Sequence, residues 1–214
     1  MYFNIHSGSC APAERDLPSL ATVSSQTLRD REDDAKDNIE MPEAFVAVMM
    51  GSDSDLRVME SAIEVLFALG VRAEVRVLSA HRSPEDTQAY VRDADGRGCA
   101  VFIAAAGLAA HLAGAVAALT LKPVIGVPMA GGPLSGFDAL LSTVQMPGGV
   151  PVACVAIGKA GARNAGYLAA EILALADGRL AERLCADRAS MAEAIRRKNA
   201  ELVERYPHGP DGRA

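Results

Sequence analysis

Three short stretches gather side chains suited to polar chemistry at neutral pH. They are Gly51-Ser52-Asp53-Ser54-Asp55, Ser79-Ala80-His81-Arg82-Ser83-Pro84 and Ala106-Gly107-Leu108-Ala109-Ala110-His111-Leu112. The 214 residues include only four histidines, and two of them fall here. Imidazole is the side chain whose ordinary protonation equilibrium lies nearest neutrality, so His81 is the ready proton shuttle, general acid or base. It could equally be a structural histidine tying down a loop. Arg82 beside it carries a planar fork of donors that matches a phosphate, though the same residue would serve a surface ion pair. In the first stretch, Gly51 lets the backbone approach a ligand, and the hydroxyls of Ser52 and Ser54 with free amides at a helix start suit a phosphate. Asp55 suits the hydroxyl donors of a sugar. Ser54 or Asp55 would also serve as a plain helix N-cap. His111 lies in an apolar, Ala-rich run and reads as a packed or first-turn helical histidine.

Composition narrows the classes of function. Half of the chain is hydrophobic and 22% is charged, enough to bury a real core. Only 4% is aromatic, with no Trp, while about 40 residues are Ala. A wall of stacked rings for single-stranded nucleic acid is therefore disfavoured. A formal net charge of −6 argues against a phosphate-backbone binder, so no nucleic-acid partner is expected. No apolar run approaches a membrane span and the N-terminus lacks a signal peptide, so neither membrane nor export is expected and the cytoplasm is the default. The four Cys (Cys10, Cys99, Cys154, Cys185) are scattered, with no C-x-x-C and no His/Cys cluster, so no metal site is expected. Neither a G-x-x-x-x-G-K-[ST] phosphate loop nor a G-x-S-x-G nucleophile elbow is present.

The elements that must position these residues follow from hydrophobic periodicity. Residues 1–42 are polar, broken by Pro12 and Pro18 and closed by a charged run; they read as a largely disordered extension. Phe45–Met50 is a fully apolar run, as in a strand buried on both faces. Asp55–Leu69 is an amphipathic helix ended by Gly70. Arg72–Leu78 alternates as an edge or near-edge strand, and Pro84 opens the next helix. Strands at Ala100–Ala105, Pro123–Val127 and Pro151–Ile157 then alternate with helices at Ala109–Ala118, Phe137–Val144 and Gly161–Leu175. A last amphipathic helix covers Leu180–Arg205. This alternation predicts an α/β three-layer αβα sandwich with a parallel five-stranded sheet, most simply in the flavodoxin-like order 2-1-3-4-5, plus a C-terminal helix. The folded α/β domain spans 43–180, the last helix 181–205, and 206–214 is a tail. In that strand order the loops after strands 1, 2 and 3 are neighbours at the carboxyl edge, where open α/β sheets bind ligands.

Val48-Met-Met-Gly-Ser-Asp-Ser-Asp55, Leu78-Ser-Ala-His-Arg-Ser-Pro84 and Ala106-Gly-Leu-Ala-Ala-His-Leu-Ala-Gly114 resemble the N5-carboxyaminoimidazole ribonucleotide mutases of purine biosynthesis. So do Leu134–Pro147 and Ile157–Gly166, and the likeness runs in order from Val46 to Asp177. The resemblance implies transfer of a carboxylate from the exocyclic nitrogen to ring carbon 4 of an aminoimidazole ribonucleotide. No ATP, metal or organic cofactor would be needed. It implies His81 as the proton-transfer residue, with Ser52, Asp55 and Arg82 at nucleotide-binding positions and Ser54 and Ser79 adding phosphate or ribose contacts. Ala106, Gly107, His111 and Leu112 would line the pocket for carbon dioxide and the imidazole. A homo-octamer with sites near subunit contacts is implied as well, with 43–180 as its catalytic domain and the helix at 181–205 in oligomer contacts. Two positions depart from the family loop: Leu108 stands for a Gly, and Ala113 for a Pro.

Three other readings compete. Direct carboxylation of aminoimidazole ribonucleotide by dissolved carbon dioxide is the sister activity, but that branch departs from the Ala-His-Arg and Ala-Ala-His-Leu patterns. A flavodoxin-like flavin or nucleotide module would want aromatic rings that the candidate loops lack. A pure scaffold leaves the clustering of Ser, Asp, His and Arg unexplained.

Overall fold

The computed structural model describes residues 44–207; the expected N-terminal extension and residues 208–214 lie outside them. Five parallel strands form one sheet: β1 (Phe45–Met50), β2 (Ala73–Val77), β3 (Cys99–Ala106), β4 (Val124–Pro128) and β5 (Ala153–Cys154). Their order is β2-β1-β3-β4-β5, as expected. The helices are α1 (Leu56–Ala68), α2 (Pro84–Gly96), α3 (Leu112–Ala117), α4 (Phe137–Val144), α5 (Lys159–Ala174) and α6 (Gly178–Arg205). Among the described residues no helix is long and apolar enough to cross a membrane.

All six residues of β1 are buried because both faces of this central strand are covered. Side chains alternate across a strand, so Val46, Val48 and Met50 join the core shared with α1 and α5. Phe45, Ala47 and Met49 join the core shared with α2 and α3. β2 lies at the edge and is partly exposed, in keeping with its mixed sequence.

Small residues set how closely the first helical layer packs. Ala162, Ala165, Ala169 and Ala170 of α5 are fully buried. A β-carbon at Gly166 would stand 2.8 Å from the carbonyl oxygen of Ala62, so α1 and α5 touch nearly backbone to backbone. Asp177 then starts α6, its carboxylate accepting from the N–H groups of Arg179 and Leu180 at 2.9 and 3.1 Å.

Two elements are shorter than their sequence suggests. The strand expected over Pro151–Ile157 pairs only at Ala153–Cys154, with Val155 donating to Gly126 at 3.1 Å. Pro151 has no N–H to give, and an edge strand lacks a second neighbour to hold it extended. The helix expected from Ala109 starts at Leu112, because Leu108 takes a left-handed φ of 53° and turns the chain first.

The register aligns four strand ends. Met50 pairs with both Val77 and Ala105, and Ala106 pairs with Pro128. The ladder runs one residue further through Gly51 N–H to Ala105 O, Leu78 N–H to Met50 O and Met129 N–H to Ala106 O, at 2.9–3.0 Å. The loops after β2, β1, β3 and β4 therefore leave the sheet side by side.

An ion cluster pins the β2 edge. The Arg97 guanidinium meets the Glu74 carboxylate through two bonds of 2.6 and 2.9 Å, and Arg72 adds a third at 3.1 Å. Arg72 and Arg97 also lie 5.0 and 5.1 Å from the centre of the Phe45 ring. The Arg97 hydrogen bond holds the Glu74 carboxyl below its ordinary range. A depressed carboxyl contributes stability above its ordinary range and loses it as the pH falls through the lowered value. Glu74→Gln is expected to cost roughly 1 kcal/mol at pH 7, since Arg97 is partly exposed. In urea denaturation the gap from wild type should shrink as the pH falls below the usual carboxylate range.

Candidate active site

The three polar stretches and the loop after β4 enclose one cleft of about 570 Å³. All ten residues singled out by sequence border it: Ser52, Ser54, Asp55, Ser79, His81, Arg82, Ala106, Gly107, His111 and Leu112. Two larger hollows, of about 730 Å³ between α5 and α6 and about 1050 Å³ at the amino ends of β4 and β5, contain no histidine.

Local backbone chemistry builds the first wall. Gly51 leaves β1, and Ser52, in extended conformation, caps a short 3-10 turn over Asp53–Asp55. The Ser52 hydroxyl oxygen accepts from the Ser54 N–H at 3.4 Å and the Ser54 hydroxyl at 2.9 Å. Ser52 caps this turn through its side chain. Asp55 stands at the N-cap position of α1 but makes no side-chain cap bond there. Its side chain has only a long 3.5 Å contact from the Ser54 hydroxyl. Burial pushes the Asp55 carboxyl above its ordinary range.

The second wall is the loop after β2. The Ser79 hydroxyl oxygen accepts from the Arg82 N–H at 3.2 Å, while the Ser79 N–H donates to Ser83 Oγ at 3.1 Å. Arg82 reaches back across the cleft's edge, its Nη2 donating to the Gly51 carbonyl at 2.7 Å. The surface ion pair is not its role, for Arg82 joins no salt bridge among the described residues.

The loops after β2 and β3 meet through their histidines. His81 Nε2 lies 2.8 Å from His111 Nδ1, and the rings stand edge to face at 86°. One nitrogen must donate and the other accept, so the pair holds a proton between the two rings. Of the two readings of His111, packed or in the first helical turn, the structure lies close to the second. The late start of α3 leaves it at the N-cap position, exposed toward the cleft. Leu112 is 2% exposed and belongs to the core beneath. Ala106 ends β3, and a β-carbon at Gly107 would stand 3.4 Å from that of Met129, so the cleft floor is tight there.

Sequence reasoning missed Val58 and the whole segment Met129-Ala130-Gly131-Gly132; Ala80, Leu108 and Ala109 lie in the polar stretches but were given no role there. The predicted strand order already placed β4 next to β3. The Gly-Gly pair after its end was the signal that a fourth loop belonged to the search.

The family described as AIR carboxylase matches residues 45–194. The chain belongs to the AIR carboxylase family. Curated relatives agree. The chain is 54% identical over 157 residues to the N5-carboxyaminoimidazole ribonucleotide mutase of Mycobacterium tuberculosis, covering 73% of this chain and 89% of that protein. It is 49% identical over 159 residues to the mutase of Bacillus subtilis, covering 74% and 98%. Among solved structures, Treponema denticola PurE superposes with a TM-score of 0.68 at 27% identity, covering 74% of this chain and 98% of that one.

Within this AIR carboxylase cleft, Asp55 has a measurable signature. A carboxyl whose range is raised in the fold opposes folding once the pH passes its unfolded value near 3.8, and the penalty is complete above the raised value. Asp55→Asn should therefore raise Tm at pH 7, by about 1–3 °C for a domain of this size. In thermal unfolding followed from pH 7 to pH 3, the gain should fade toward the acid end. A gain that persists at pH 3 would assign it to something other than ionisation.

Proposed function

We propose that the protein is an N5-carboxyaminoimidazole ribonucleotide mutase, the activity named for its relatives, and that the cleft under the β1, β2, β3 and β4 loops is its active site. The observation that carries the site assignment is the convergence of His81, His111, Arg82, Asp55 and the Ser52–Ser54 hydroxyls on one cleft. Arg82 and the hydroxyls of Ser52, Ser54 and Ser79 supply the donors that a ribonucleotide phosphate requires. Asp55 is the acceptor for ribose hydroxyls, and its scant bonding within the chain leaves its oxygens available.

Chemistry follows from the histidine pair. His81 donates a proton to the exocyclic nitrogen of the carbamate, the N–C bond breaks, and carbon dioxide and aminoimidazole ribonucleotide are left in the cleft. Ring carbon 4, enamine-like, attacks the carbon dioxide and forms the new C–C bond. The proton on carbon 4 then returns to His81. One residue serves as acid and then as base, and no proton is gained or lost overall. His111, bonded to His81, fixes which ring nitrogen is available for each step. Ala106 and Gly107 keep the floor tight around a small neutral intermediate.

Direct carboxylation from dissolved carbon dioxide is the second reading, and the naming of the curated relatives favours the mutase. A homo-octamer belongs to the same proposal. Phe137, Leu141 and Val144 form an exposed apolar stripe on α4, and Met191 and Ile195 add exposed apolar side chains on α6. A cytoplasmic setting is part of it too, supported by free thiols at Cys99, Cys154 and Cys185.

His81→Asn is the direct test. The variant should fold, bind the nucleotide and lose at least about 10³-fold in kcat, since a proton must move in both halves of the reaction. Near-normal turnover would sink the assignment. Feeding aminoimidazole ribonucleotide with bicarbonate alone should give little product at concentrations where the carbamate is converted efficiently; the reverse would favour the direct carboxylase. Light scattering should report eight chain masses.

A further inference from the structure

Leu108 holds a backbone conformation that L side chains rarely adopt, with φ at 53°. Nothing in the core requires it: the side chain is 53% exposed and belongs to neither buried cluster. It instead projects from the β3 loop across to the β4 loop, where its Cδ2 occupies the space that a β-carbon on Gly132 would need. Gly132 is itself left-handed, with φ at 62°. Both residues border the cleft, and His111 follows three positions after Leu108. A strained, half-exposed leucine at this place is explained by what it covers rather than by what it stabilises.

We infer that Leu108 is a partition-determining residue: clasped over Gly132, it closes the cleft between the β3 and β4 loops and decides how much released carbon dioxide is recaptured. The inference rests on the mutase reading above. After the N–C bond breaks, the intermediate has two fates. Attack by carbon 4 gives the carboxylated product, and escape of carbon dioxide to solvent leaves free aminoimidazole ribonucleotide. An apolar cover slows only the escape, because it excludes water and contributes no group to either proton transfer. Leu108 therefore acts on the ratio of the two products, with little effect on the chemical steps.

The experiment supplies the carbamate substrate to the full-length enzyme and quantifies both products for wild type, Leu108→Ala and Leu108→Gly. Escape should rise at least about threefold, as a fraction of substrate consumed, in both variants. Gly132→Ala keeps Leu108 but displaces it, and should raise escape as well. Thermal unfolding separates the structural role. Leu108→Gly frees the left-handed backbone and should raise Tm, whereas Leu108→Ala retains a β-carbon there and should not. A Leu108→Ala variant with wild-type product ratio would overturn the inference, whatever its Tm. A wild-type enzyme inactive on the carbamate would instead overturn the mutase reading, so the two failures are distinguishable.

Discussion

The cleft depends on one constraint, the level alignment of four parallel strand ends. In a parallel ladder, register is shared: Met50 opposite Val77 and Ala105, and Ala106 opposite Pro128, put four loops at one height. Shifting any strand by one residue would exchange its buried and opposite faces as well as its loop height. The two apolar cores on either side of β1 resist that shift, since Val48 and Met49 must enter different layers. The core thus fixes the site without contributing a reactive group to it.

Much of this was legible before any coordinates. Phe45–Met50 reads as a doubly buried strand because every position is apolar, and the three polar stretches sit where such strands end. The residues that were misread lie where backbone conformation overrides composition. His111 reads as a packed or first-turn helical histidine because its neighbours are Ala and Leu; a left-handed turn at Leu108 moves the helix start just past it. β5 looks like a seven-residue strand because its apolar run is long, but pairing needs a neighbour as well as a sequence. Leu108 stood out in the sequence only as a departure from the family loop, since its conformation lies in a φ angle and its contact in a glycine on another loop.

The abundance of Ala also gains a location. Small side chains let helices approach closely. In α5 they face inward, and Gly166 against the Ala62 carbonyl brings two helices of the same chain almost into backbone contact. α4 and α6 also carry large apolar side chains that are exposed, among them Phe137, Leu141 and Ile195.

The bond from Arg82 to the Gly51 carbonyl has a consequence for recognition. An arginine on a loop ordinarily samples many rotamers, and a ligand that engages it must freeze them. Here the side chain is already extended between two loops by Gly51 and Ser79. An anion arriving at the cleft meets a fork whose ordering was completed when the chain folded. Its binding would carry a smaller entropic penalty for that contact, so affinity can come from few bonds and without stacked aromatic rings.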